Sequence, residues 1–571
     1  MKPTTPPRRI LWMALLIVLG LGAALFAGCS DLTTPTVTPT PTRTPRPPTP
    51  TSTPTPSPTP TPVWPVTVFI PNGLPALVAD TLDATITAHP DLFALASSAE
   101  VADVQVTLDP GPDATPLVEW VYAVVAPFPT LTDEVTWADV ASSWNGAPAG
   151  PFAGRPLLVT DDTLRALSVA LGDPAPGAVE VVPSDQIAPH TSTGLSTSAW
   201  DTRPAWAIVP FDQLEPRWKV LRVDGVSLLD KEMDAGAWPL VVRADLTGTE
   251  RGVAKLEEVI AVPLTNRDPE KMTVVVMTGV TALCRATAMR MDRNGVTYPA
   301  EDIRDWLIEA DITHISTEVS FAENCPPPSD YYTMVFCSDP SFIELLEYID
   351  VDAVELTGNH LLDWGVEAMK LSLTMYDERD ISYFGGGWNL AQAQAPLTLT
   401  HGVHTFGFVG CNPAGPPSDW ATADRPGAAP CNYDLLYAQI RQLREQGIIP
   451  IATFQYWEFG QYEPTPQQRA DFRALAEAGA VIVSGSQAHQ PQGFDFVDGA
   501  FIHYGLGNLF FDQMWSLETR QEFLDRHVFY DGRHISTELL TAILEDYSRP
   551  RPMSPEERGT LLRAAFTASG W

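Results

Sequence analysis

Basic residues are scarce in this chain: 35 Lys and Arg stand against 70 Asp and Glu, for a formal net charge of -35. A nucleic-acid partner needs a basic surface to replace the counterions of its phosphates, so that class is excluded. The same field repels polyanions at long range, and its plainest use is the solubility of a secreted protein. Cysteine is sparse, with 6 in 571 residues. The triple-glycine run Gly385-Gly386-Gly387 lacks the Lys-Ser/Thr that a P-loop phosphate cradle requires, and reads as a flexible turn. What is present is apolar residue, 44% of the chain, enough for the cores of two or three domains.

The first segment reads as a targeting signal rather than structure. Lys2, Arg8 and Arg9 precede an apolar run from Ile10 to Ala27, and Phe26-Ala27-Gly28-Cys29 resembles a bacterial lipobox with Cys29 as the lipidated residue. The alternative is an uncleaved transmembrane anchor. Either way the membrane is a partner and the rest of the chain lies outside the cytoplasm. Residues 30–65 are Thr/Pro repeats, where proline removes donors and fixes φ, so an extended tether is expected. Five cysteines follow Cys29 in an oxidising compartment. Cys325–Cys337 and Cys411–Cys431 are the favoured pairs because each closes a short loop rich in Pro or Gly, which leaves Cys284 over.

Two α/β domains are expected after the tether. In residues 66–265, apolar runs at 66–70, 120–125, 157–160 and 205–210 read as strands. Helices are expected over 75–88, from about 135 with Thr132 or Asp133 near its N-cap, and over 164–171. The phrase Ala126-Pro127-Phe128-Pro129-Thr130 resembles the hinge of periplasmic-binding-protein folds. In residues 266–571, strands are expected at 272–277, 312–317, 353–357, 404–410, 448–454, 480–484 and 501–504. Apolar stripes such as Val366, Met369, Leu373 and Tyr376 recur at helical spacing between them. The alternation predicts a layered α/β/β/α sandwich.

Polar motifs sit at the ends of these strands, where a layered α/β protein places its chemistry. They are Ser316-Thr317-Glu318, Thr357-Gly358-Asn359-His360 with Asp363 beyond, Gln455-Tyr456-Trp457-Glu458, Gln487-Ala488-His489 with Gln490-Pro491-Gln492, and Tyr504-Gly505-Leu506-Gly507-Asn508. Their order resembles the CapA family of poly-γ-glutamate capsule proteins, within the calcineurin-like metallophosphoesterase superfamily. The resemblance covers about residues 272–515. It implies a two-metal site, but Val280 stands where the first aspartate belongs, Gln455 where a histidine is expected, and Gln487 where the first histidine of His-x-His belongs.

A single hard cation, Mn²⁺, Mg²⁺ or Ca²⁺ rather than Zn²⁺, on Glu318, Asn359, Gln487 and His489 is one expectation. A pocket with no metal, its positive charge supplied by Arg285, is the other. His360 is the candidate proton-transfer group, with Asp363 orienting it and Glu458 as a further carboxylate. Gln455, Gln492 and Asn508 are candidate substrate contacts. The implied partner is an anionic envelope polymer or a small-molecule substrate. Three uses of such a chain compete: a hydrolase or transferase, a binding or assembly factor that has lost its metals, and a solute receptor working through residues 66–265.

Overall fold

Strand Val66–Phe69 alternates buried and half-buried side chains, as a strand with one face in a core must. The computed structural model describes residues 65–108, 115–183, 199–260, 264–329 and 333–571; the lipobox Cys29 and the tether lie outside the described residues. In residues 66–265 the strands form one mixed sheet, in the order Phe93–Leu95, Val66–Phe69, Val104–Leu108, Val241–Gly248, Thr115–Pro127, Trp206–Pro210, Leu157–Val159, Val179–Val181. Helix Trp137–Trp144 is capped by Thr136, whose side chain accepts from the Asp139 amide, and not by Thr132 or Asp133. Asp133 is instead clasped by Arg558, at 2.7 and 2.8 Å, and by Lys219 at 2.5 Å.

Two further sheets follow. The first runs Ser382–Phe384, Ala353–Glu355, Ile312–Thr317, Met272–Met277, Gln521–Tyr530, Arg533–Glu545, Arg549–Pro552. The second runs Leu397–His401, His404–Val409, Ile449–Gln455, Ile482–Ser486, Ala500–His503, Phe494–Val497. Strand Met272–Met277 is buried at every position because it faces two layers. Val274 and Val276 share a core with Met291, Leu345, Met369 and Leu373 of the flanking helices. Val275 and Met277 point the other way, into a core with Phe406, Phe408, Ile451 and Ile482 of the second sheet. Helices Tyr433–Glu445 and Pro466–Glu477 cover that sheet's outer face through Ile440, Leu443, Phe472 and Leu475. This is the layered α/β/β/α sandwich that the alternation predicts. Gly386–Gly387 is not a flexible turn: it pairs with Gly427–Ala428 in a two-stranded ladder.

Phe128, just after the long strand of the first sheet, joins the two parts. Its ring meets those of Phe494, Phe496, Phe501, Phe566 and Trp571 edge-on, with centroids 5.4 to 6.0 Å away. The hinge-like phrase in the sequence is therefore an aromatic anchor.

Several histidines lie inside the sandwich. His503 Nδ1 sits 2.6 Å from Asp525 Oδ2, and the His527 and His534 rings are 5.3 Å apart. Burial pushes His527 well below the ordinary imidazole range and His534 down to about 3. His534 thus stays neutral in the folded protein down to about pH 3, while the unfolded chain protonates it below about 6.5. The unfolded chain then holds the extra proton, so this residue removes stability as pH falls through that window, by about 1.4 kcal/mol per pH unit. His534→Gln is expected to be less stable than wild type at pH 7, with the deficit shrinking between pH 6 and 4. Urea unfolding across that range checks it, and a deficit independent of pH contradicts it.

Candidate functional site

The site's floor is built where the parallel strands of both sheets end. Glu355 is fully buried there and was not anticipated from the sequence. As a carboxylate it can only accept, so it sets the direction of its neighbours. Ser316 donates to it at 3.3 Å, Thr453 at 2.7 Å, and Thr357 by a short bond. Thr357 Oγ1 then accepts from the Gln455 amide at 2.8 Å, and Ser316 Oγ from Gln455 Nε2 at 3.4 Å and from Ser486 at 3.0 Å. Gln455 is accordingly part of the floor and 1% exposed, not an open substrate contact.

Above this floor stands His360. Its Nδ1 lies 2.6 Å from Asp363 Oδ2, and its Nε2 is 3.6 Å from Glu318 Oε1. Gly358 permits the approach, since a Cβ there would lie 2.7 Å from the Glu318 Cα. Burial alone would lower His360, but the Asp363 bond and the charges of Glu318, Asp363 and Asp419 outweigh it and raise the imidazole. Asp419 is a residue that sequence reasoning missed. Burial first, then the Asp363 charge, pushes its carboxyl up to about 7, and its Oδ2 is buried without a partner. No motif marks it, because it reaches the site only by the fold of the loop between Cys411 and Cys431.

Both expected disulfides are present, Cys325–Cys337 and Cys411–Cys431, and Cys284 is free and buried. The first staples the loop that carries Phe336. That ring covers His360 at 4.1 Å, and the Phe336 amide donates to Asp363 Oδ2 at 2.9 Å. Arg285 lies behind, 4.8 Å from the Phe336 ring and 4.9 Å from that of Phe511. Its guanidinium forks onto Asp512, with Nε at 3.1 Å, and the pair is nearly fully buried. Arg285 therefore does not stand open in a vacated metal position; its charge is spent on Asp512.

His489 occupies the other side. Asn508 Nδ2 donates to the His489 and Thr519 carbonyls at 3.2 and 3.0 Å, which leaves Asn508 Oδ1 to accept from His489 Nδ1 at 2.9 Å. The imidazole is thus held with Nδ1 as the donor to Asn508 and Nε2 turned away from it. Asn508 positions His489 rather than touching substrate. Gln492 is likewise internal, bonded to Gln468 Nε2 at 2.8 Å. Glu458 is exposed on the rim beside His489. Gln487 and His489 both hold positive φ, 74° and 55°, and Arg285 does so at 49°. Such backbone costs about 1 kcal/mol or more per residue and clusters at functional sites.

Two metals do not fit these residues. Val280 lies in an apolar cluster with Ala282, Cys284, Val319, Phe336 and Phe511. Gln487 Nε2 donates to Asn359 Oδ1 at 3.2 Å, so this oxygen already accepts from a neighbour. Among the described residues, no group of three or more His, Cys, Asp and Glu is arranged to hold a metal ion. The donors that stay open are Glu318 Oε2 and Gln487 Oε1, both buried without partners, and His489 Nε2.

Fold and site define a two-sheet α/β sandwich with a polar pocket at its strand ends. Residues 274–513 match the family described as bacterial capsule synthesis protein PGA_cap. It is 24% identical over 299 residues to the capsule biosynthesis protein CapA of Bacillus anthracis, covering 50% of this chain and 71% of that one. It is 24% identical over 192 residues to the PGA biosynthesis protein CapA of Bacillus subtilis (strain 168), covering 33% of this chain and 50% of that one. An ABC-type phosphate transport receptor from Vibrio cholerae is similar at 14% identity, over 34% of this chain and 92% of that one. Its TM-score of 0.27 gives that likeness no weight.

Asn508→Leu leaves two buried carbonyls unpaired and is expected to cost about 2–4 kcal/mol of stability. In wild type, proton–nitrogen correlation spectra should show His489 protonated at Nδ1; an Nδ1 without a proton contradicts the assignment.

Proposed function

We propose that this chain serves the synthesis or processing of an extracellular envelope polymer, with His360 as its proton-transfer group. The observation that carries the reading is His360 held between Asp363 and Glu318 at the strand ends of the family-matched segment. The raised imidazole suits a proton donor to a leaving group, and the open Glu318 Oε2 suits an acceptor for a proton from water. The family match and the relatives' names support the polymer; the bond cleaved or formed is an amide or a phosphate ester.

The test is turnover of an envelope-polymer fraction, read as newly released chain ends. His360→Ala is expected to lower turnover by about a hundredfold or more with the melting temperature nearly unchanged. A wild-type protein that binds the polymer and leaves its length unchanged overturns the catalytic reading in favour of an assembly factor.

The orphaned Glu318 Oε2 and Gln487 Oε1 favour a second reading, one hard cation on Glu318, Gln487 and His489. Elemental mass spectrometry after dialysis with Mn²⁺ decides it: one equivalent, lost in Glu318→Ala, supports the cation, and none excludes it.

The anchor belongs to the same proposal. Lipidation at Cys29 would hold the domains on the outer face of the membrane, so Cys29→Ser is expected to release the chain into the medium. Unchanged membrane retention contradicts this.

A further inference from the structure

Where residues 66–265 meet the sandwich, a cavity of about 250 Å³ runs along one strand edge. Apolar cavities of about 150 Å³ already admit a benzene-sized ligand. None of the residues lining this one belongs to the strand-end site. Strand Arg533–Glu545 pairs along its length with Gln521–Tyr530 on one side. On the other side only Ala542 to Glu545 are paired, with Arg549–Pro552. From Ser536 to Thr541 that second edge carries no strand and lines the cavity. An open edge presents backbone donors. The Leu539 carbonyl faces it, where it accepts from Arg558 Nη1, and in an antiparallel ladder the amide of the same residue points the same way. Phe128, Leu540, Met553 and Phe566 add an apolar wall.

The charges around the cavity do not balance. Lys219, Arg222 and Arg558 line it against Asp133 and Glu538. Both carboxylates are engaged already, Asp133 by Lys219 and Arg558, and Glu538 by Arg526. The Arg222 guanidinium is exposed and forms no hydrogen bond or ion pair among the described residues; its charge reaches Asp230 only through space. The Lys219 side chain is 15% exposed, and burial pushes its ammonium down to about 8, so a further negative charge beside it is stabilising. This excess of positive charge sits in a chain whose net charge is -35. A separate observation points to a ligand. Ser536 is 1% exposed and lines the cavity, yet its hydroxyl has no hydrogen-bond partner. A buried hydroxyl left unpaired is costly, and an acceptor inside the cavity satisfies it.

We propose that this cavity binds an amphiphilic monocarboxylate, a small organic acid whose carboxylate meets Arg222, Lys219 and the Ser536 hydroxyl while its body lies on the apolar wall. One negative charge balances the lining. A neutral or cationic head leaves Arg222 unmet. The site stands apart from the polymer reading and is tested without turnover.

The probes are octanoate, octanol and octylamine, titrated into the protein by calorimetry. One saturable equivalent of octanoate is expected, at least about tenfold tighter than octanol, with no binding of octylamine. Arg222→Gln should weaken octanoate about tenfold or more. Arg222 is exposed, so its replacement leaves the fold intact. Ser536→Ala should weaken octanoate while the melting temperature of the free protein stays the same or rises. Arg293→Gln removes the same charge from the exposed end of helix Arg285–Asn294 and should leave binding unchanged. Absence of octanoate binding, equal binding of octanol, or binding of octylamine overturns the proposal. So does equal octanoate affinity in wild type and Arg222→Gln, or an equal loss in Arg293→Gln.

Discussion

Burying Glu355 between the two sheets is the constraint on which the site depends. A carboxylate without solvent must be met by donors, or its burial costs several kcal/mol. The donors come from both layers: Ser316 and Thr357 from the first sheet, Thr453 from the second. That demand explains why strand ends that are otherwise Val, Ile and Phe turn to Ser and Thr at one rim. The donated hydroxyls then accept from Gln455 and Ser486, which pins the two rims together. The backbone turns bearing Glu318, His360 and Gln487 begin on these pinned ends, so the floor fixes the geometry above it.

A second element of order is a stack across the pocket: His360, Phe336, Arg285, Phe511 and His489 lie in sequence, each ring or guanidinium against the next. The Arg285–Asp512 pair makes this stack electrically neutral at its centre. Breaking one partner would leave a buried charge, so the pair is a fixed post on which both imidazoles lean. The backbone strain at Arg285, Gln487 and His489 falls around this post. Tight packing can hold such strain only if the surrounding contacts over-determine it, which the Asp512 fork and the Asn508 bonds do.

The sandwich was legible in the sequence because its signals are local. Strand Met272–Met277 and the stripe at Val366, Met369, Leu373 and Tyr376 declare themselves by period alone. Loop composition likewise pointed to both disulfides. What escaped was set by long-range pairing. Arg285 meets Asp512 across 227 residues, and nothing near either residue announces the other. Asp419 arrives on a loop, and Glu355 reads as one charge in an apolar run. Gln492 and Asn508 were recognisable as conspicuous polar residues, yet only the fold shows that they support neighbours instead of facing a ligand.

Val280, Gln455 and Gln487 carry no formal charge, and this shapes the electrostatics of the strand ends. Two divalent cations would bring four positive charges to the strand ends and hold anionic oxygens there. Val280 lies in an apolar cluster and Arg285 pairs with Asp512, while Glu318, Asp363 and Asp419 gather around His360 at the strand ends. The open groups there are the Glu318 and Gln487 oxygens, acceptors that N–H and O–H donors or a hard cation would satisfy.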